Sequence, residues 1–130
     1  MQVLVIKIIH TGIGRLKKEI KNLLFNMIFG AFNLVAVSLF YKDIPLTVVI
    51  LSLLTISFFV YYKSPVFVPI FVFCMIFGTL AEIFSVYNGA WSYALPNFFN
   101  VPLWLFILWG NSGLFIYKMA IGFERLGFHR

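Results

Sequence analysis

The sequence is poor in charged residues: Asp, Glu, Lys and Arg together make up 11% of its 130 residues. A soluble domain of average composition carries about 25% charged residues. Hydrophobic residues, by contrast, account for 62% of the chain, and in water they would leave large apolar patches on any surface built from it. The composition therefore indicates a single domain whose outside is covered mainly by lipid.

Cysteine and histidine are also scarce. One cysteine, Cys74, cannot form a disulfide framework or a thiolate metal site by itself. The two histidines, His10 and His129, lie in the two tails with no carboxylate or thiol pattern beside them, which makes a poor metal site. Metalloprotease, nucleophile-elbow and phosphate-loop motifs are missing as well. We therefore expect no metal and no cofactor, and the sequence favours a protein that is not an enzyme.

Four apolar stretches are long enough to cross a bilayer, which takes about 20 residues each. They cover residues 22–41, 44–62, 66–87 and 101–123, and residues 88–100 form the longest connection. Pro45, Pro65 and Pro102 stand close to the breaks, where proline fits the first turn of a helix. The pattern predicts an all-α fold, a four-helix transmembrane bundle.

The basic residues are distributed unevenly around these stretches. If all four cross the membrane, nine of the ten basic residues share one side, and only Lys42 lies on the other. The nine are Lys7, Arg15, Lys17, Lys18, Lys21, Lys63, Lys118, Arg125 and Arg130. The positive-inside rule then predicts a multi-pass protein of the plasma membrane with both termini in the cytoplasm. Because no basic stripe carries interleaved aromatics, we expect no nucleic-acid partner.

The first twenty residues are too apolar for a simple tail and too short for a further span. Apolar residues recur there at helical spacing, at Val3, Ile6, Ile9, Ile13, Leu16 and Ile20. This spacing predicts a separate amphipathic helix at the membrane surface. Gly12 and Gly14 weaken a helix, so a frayed tail is the alternative.

Glu82 is the only acidic residue inside an apolar stretch. Ionisable groups within a membrane are expensive and are functional candidates for that reason. Counted back from Tyr87, it lies about 7–8 Å inside the outer boundary of the membrane. The alternative is therefore a purely structural role close to the interface. We expect it to be buried, donating a hydrogen bond to Asn33, Asn111 or the loop backbone.

The connection above Glu82 is aromatic and carries no charge. Trp91 and Tyr93, with Trp104 just beyond, match an interfacial aromatic belt. The same residues could form a lid over the acid, as in a pocket for a hydrophobic or amphiphilic small molecule.

Asparagines line one face of the first stretch at Asn22, Asn26 and Asn33, and Asn111 lies in the middle of the fourth between Gly110 and Gly113. Amides in lipid need partners, so interhelical hydrogen bonds are the favoured role and ligand contact is the alternative. The candidate ligand-binding residues are Glu82, Trp91, Tyr93, Trp104, Asn111 and Asn33.

The block Glu82-x6-Gly89-x-Trp91-x-Tyr93, followed by Pro102-x-Trp104, resembles stretches in integral-membrane carotenoid cyclases and hydratases. It also resembles small prokaryotic membrane proteins of no known role. The first resemblance implies acid-assisted chemistry on a polyene with Glu82 as the proton donor. Those enzymes carry further intramembrane acids, whereas this chain has one.

Three classes of function follow. The first is a non-catalytic subunit or binding partner in a membrane assembly, with membrane-protein partners or further copies of the chain. The second is a membrane-embedded enzyme or binder for an isoprenoid, a carotenoid or another lipid that uses Glu82. The third is a small transporter, although small multidrug transporters place their acid in the first helix and have a weak charge bias.

Overall fold

The computed structural model describes residues 1–128, which fold into four α-helices. The helices are α1 (Gln2–Phe40), α2 (Ile44–Tyr62), α3 (Phe67–Tyr87) and α4 (Trp104–Arg125). All four are long and apolar enough to span a membrane. His129 and Arg130, the last of the nine basic residues, lie outside the described residues.

The second and third helices follow the sequence prediction because local signals set their ends. Helix α2 has the expected bounds. The Asp43 carboxylate accepts a hydrogen bond from the Leu46 N–H at 3.1 Å, and Pro45 lies in the first turn. It ends at Lys63, which adopts the left-handed conformation with φ 51°. Helix α3 begins one residue later than predicted.

The predicted start of the first helix at residue 22 is wrong. Helix α1 runs for 39 residues without a break, which is about 58 Å at 1.5 Å per residue. No proline occurs before Pro45, and Gly12 and Gly14 remain within regular helix. Residues 2–20 are therefore helical, but as an extension of the first span and not as a separate element.

The fourth helix starts three residues later than predicted and ends two residues later. The delay is caused by a tight turn in which the backbones of Phe98 and Val101 pair in both directions. Phe99 and Asn100 at its tip have positive φ angles of 45° and 65°. The Asn97 side chain then accepts a hydrogen bond from the Leu103 N–H at 2.8 Å, just ahead of α4.

Helix α4 is the centre of the structure, because it packs against all three other helices. Helix α3 packs chiefly on α4, and this contact depends on small residues. Gly110 and Gly113 of α4 face Phe71 and Cys74 of α3, respectively, and Gly78 of α3 faces the Trp109 ring of α4. The three glycines therefore let α3 and α4 approach closely, and Cys74 serves as a small packing residue between them.

The outside of the four helices is apolar. Large hydrophobic side chains remain exposed along each of them, for example Leu34, Val60, Phe77 and Ile116. The buried core is small and lies in two clusters, one around Leu51, Val101 and Trp104 and the other around Phe29, Phe58 and Leu114. A small buried core combined with an apolar exposed surface fits a small multi-pass membrane protein, in which lipid covers the helices.

The α3–α4 contact can be tested at Gly78. A methyl group at this position would overlap the Trp109 ring, so Gly78→Ala should destabilise the fold by about 1–3 kcal/mol through overpacking. Gly12→Ala is the matched control, because nothing lies within 4 Å of its added carbon. That change should be neutral or stabilise α1 by up to about 1 kcal/mol. Unfolding in mixed micelles measures both, and equal effects would argue against the close contact.

Candidate functional site

The six candidate residues form two separate groups. Glu82, Trp91, Tyr93 and Trp104 meet at the loop end, the end of the bundle that carries residues 88–103, and we call them the Glu82 cluster. Asn33 and Asn111 meet inside the bundle, where we call them, with Thr55, the asparagine network. Asn33 and Asn111 line one cavity, whereas Glu82, Tyr93 and Trp104 line another.

Glu82 holds the loop onto α3. The indole N–H of Trp91 donates to Glu82 Oε2 at 2.8 Å, and the Tyr93 hydroxyl donates to the same oxygen at 2.9 Å. Glu82 is therefore a hydrogen-bond acceptor from two loop side chains. The expectation that it would be fully buried and donate to Asn33, Asn111 or the loop backbone is wrong, because α3 turns it toward the loop and leaves it partly exposed.

Tyr93 is well suited to remain the donor in this pair. Burial, the hydrogen bond to Glu82 and the charge of that acid, in this order of size, raise the pKa of its phenol to about 12. Trp91 acts in the opposite direction, but less strongly. The phenol therefore stays protonated across the physiological pH range, and its bond to Glu82 persists there.

A cavity of about 370 Å³ opens beside the cluster and is lined by Glu82, Tyr93 and Trp104 together with side chains of α4. The Tyr93 and Trp104 rings meet edge to face, with centroids 6.3 Å apart. The Trp104 indole N–H is buried and has no hydrogen-bond partner. The cavity thus combines apolar walls with a carboxyl group, a phenol and an unused donor.

The asparagine network ties three helices together. Asn111 of α4 donates to Asn33 Oδ1 of α1 at 2.8 Å and to the Leu51 carbonyl of α2 at 3.2 Å. Thr55 of α2 donates to Asn111 Oδ1 at 2.6 Å. All the side chains are buried. These bonds confirm the interhelical role, and they leave little of the Asn111 amide free for a ligand.

Two buried charges at the other end were missed by the sequence reasoning. We call it the terminal end. Here residues 18–22 of α1 meet the α2–α3 turn and the end of α4. Glu19, which precedes the predicted first span, is only 5% exposed and accepts from Arg125 at 3.3 Å. Lys118, near the end of the predicted fourth span, is 8% exposed and places its ammonium over the Tyr62 ring. One signal was available: Glu19 lies seven and fourteen residues before Asn26 and Asn33, on the same face of α1.

The chain matches no protein-family model, no curated protein and no solved structure. The resemblance to carotenoid enzymes therefore rests on the Glu82 to Trp104 block alone and stays a prediction. Within residues 1–128, no three His, Cys, Asp or Glu side chains lie close enough together to hold a metal ion.

The role of Glu82 as an acceptor can be tested by substitution. Glu82→Gln keeps an acceptor oxygen and should leave stability nearly unchanged. Glu82→Leu removes it and strands the Tyr93 hydroxyl and the Trp91 N–H, which should cost about 1–3 kcal/mol. Glu124→Leu, at an exposed position of α4, is the control for loss of a negative charge. If Gln proves as harmful as Leu in detergent unfolding, the charge and not the acceptor matters.

Proposed function

We propose that this chain is a non-catalytic subunit of a membrane assembly, and that it associates with a second copy of itself through the first half of α1. The observation that carries the proposal is the unbroken extension of α1 beyond the bundle. All residues from 1 to 18 are exposed. A lone helix of this length with an apolar stripe is marginal in water, so it requires a partner.

The apolar stripe has the spacing of a coiled coil. Apolar residues alternate at intervals of three and four, at Ile6, Ile9, Ile13, Leu16 and Ile20. In a heptad frame the isoleucines Ile6, Ile13 and Ile20 fall at a, and Ile9 and Leu16 fall at d. β-Branched residues at a with Leu at d favour a parallel coiled coil of two helices. Only Ile9, an isoleucine at d, departs from this pattern.

The charges agree with the same frame. Lys7, Arg15, Lys18 and Lys21 fall at positions b, c and f, which point away from a partner helix. Lys17 falls at e, where it would face Gly12 at g of a parallel partner and not another cation. Two copies in one membrane have the same orientation, which makes the parallel arrangement the natural one.

The interfacial helix of the sequence analysis explains this stripe less well. Helix α1 has no break between Gln2 and Phe40, so its first half cannot turn into the membrane plane while its second half crosses the membrane. The stripe also continues into the span at Met27 and Leu34, which are 55% and 68% exposed. A second copy could cover both parts along one line.

The charge distribution supports an orientation for this assembly. Among the described basic residues, only Lys42 lies at the loop end. The positive-inside rule therefore favours a plasma-membrane protein with its terminal end, and the helical extension, in the cytoplasm.

The cavity beside Glu82 supports a second candidate, a binding site for an isoprenoid, a carotenoid or another amphiphile. Its volume of about 370 Å³ and the buried, unpaired N–H of Trp104 favour a small polar group attached to an apolar chain. Mass spectrometry of small molecules that co-purify with the chain in mild detergent tests it. A polyene or quinone retained in stoichiometric amount would support this candidate.

Disulfide cross-linking tests the leading proposal. In a Cys74→Ala background, Ile13→Cys at an a position should give a cross-linked dimer in membranes under mild oxidation. Lys18→Cys, at an f position of the same helix, should not, because it points outward. Equal yields from the two variants, or a product that contains a different protein, would rule out the parallel pair of copies.

A further inference from the structure

We infer that the terminal end of the bundle contains a binding site for one phosphate-bearing anion, built around Lys118. The site is independent of how α1 associates. It is a pocket of about 610 Å³ between α1, α2 and α4. Four cationic side chains line it, Lys18, Lys21, Lys118 and Arg125, and no carboxylate does.

Lys118 is the observation that distinguishes this pocket from an ordinary basic surface. Its side chain is buried, yet it lines the pocket and has no acidic partner among the described residues. Its Nζ lies 4.4 Å from the centre of the Tyr62 ring. The ammonium itself is not fully buried and opens into the pocket, where no hydrogen bond or ion pair from residues 1–128 meets it, and the cation–π contact offsets only part of its charge. A bound anion would supply the missing counter-charge.

Glu19 attracts Lys118 from a distance but forms no ion pair with it. One of its oxygens accepts from Arg125, and the other is buried with no hydrogen-bond partner. It lines a neighbouring pocket together with Arg15. Glu19 therefore pairs with Arg125, and no carboxylate lines the pocket beside Lys18, Lys21 and Lys118, which leaves the pocket strongly positive.

The neutral groups of the pocket also favour an anion with several oxygens. The Tyr61 hydroxyl donates to the Asn22 side-chain oxygen at 3.3 Å, and the Tyr62 hydroxyl donates to the Asn22 backbone carbonyl at 2.9 Å. These bonds fix the two rings as one wall of the pocket. The Asn22 amide nitrogen and the Ser64 hydroxyl remain as donors near the lysines. Lysines bind phosphate as point charges without a demand for planar geometry, which suits a phosphate ester.

The position of the pocket favours a lipid headgroup as the source of that phosphate. The pocket lies between residues 18–22 of α1, the α2–α3 turn and the end of α4, where lipid headgroups would meet the protein, and basic pockets between spans bind anionic headgroups in this way. A soluble phosphate ester has the same chemistry, so the two sources must be separated by experiment.

The test uses the full chain in mild detergent, with native mass spectrometry and thermal unfolding as readouts. Phosphatidylglycerol should be retained at one molecule per chain and raise the midpoint of unfolding, whereas phosphatidylcholine should do neither. Lys118→Gln should weaken phosphatidylglycerol binding about tenfold or more. Lys21→Gln, at an exposed pocket position, should weaken it as well and covers the case in which Lys118→Gln fails to fold.

Lys7→Gln is the matched control, because it removes the same charge from α1 outside the pocket. Unchanged phosphatidylglycerol binding in this variant supports the site. An equal loss of binding in all three variants would mean that the lipid is attracted by the overall positive charge and not by a specific site. Inorganic phosphate and glycerol phosphate form the soluble arm. Binding of either that depends on Lys118 supports the site with a soluble source, and retention of phosphatidylcholine as strong as that of phosphatidylglycerol would overturn it.

Discussion

The hydrocarbon core of a bilayer offers no water to a polar side chain, so an amide placed there must find its partner within the protein. Asn111 does this by bonding to α1 and α2 at once, through Asn33, Thr55 and the Leu51 carbonyl. These bonds connect α4 to α1 and α2 at once, and the Asn26 side chain of α1 adds a further bond to the Phe115 carbonyl of α4 at 2.9 Å. Because hydrophobic attraction between helices is weak in lipid, we regard this network as the interaction that sets their register.

The rest of the structure follows from the arrangement around α4. Helix α3 has no part in the network and is held by small residues that let it approach α4 closely, and at its loop end by the bonds from Trp91 and Tyr93 to Glu82. The ionisable groups lie toward the two ends of the bundle and not in its middle. Glu82 takes its partners from the loop, and Glu19 takes Arg125 from the end of α4. Of these three groups, Lys118 is the one that has neither a hydrogen bond nor an ion pair with another described residue. This is why we infer an anionic ligand in the terminal pocket.

The sequence predicted features that depend on local signals. Asp43, Pro45 and the Lys63 turn are sufficient to set both ends of α2, and helical spacing placed Asn26 and Asn33 on an inward face. The sequence-based predictions failed where contacts between residues far apart in the chain determine the structure. The late start of α4 depends on non-glycine residues with positive φ, which sequence rules disfavour. The Glu19–Arg125 pair joins residues 106 positions apart. Gly12 and Gly14 left a frayed tail as the alternative to a helix, but each costs a helix only about 1 kcal/mol, and without proline the helix continues.

The central claim, that the asparagine network holds α1 to α4, is tested most directly by a double-mutant cycle on Asn33→Ala and Asn111→Ala. The free energy of unfolding is measured in mixed micelles for the unmodified chain, both single variants and the double variant. We expect the two effects not to be additive, with a coupling of about 0.6 kcal/mol and at most about 1.7 kcal/mol, the mean and the maximum for hydrogen bonds between membrane helices. The pair Asn111→Ala and Asn88→Ala, the latter exposed at the end of α3, should show no coupling. Additive losses for Asn33 and Asn111 would mean that the bond between them does not join the helices.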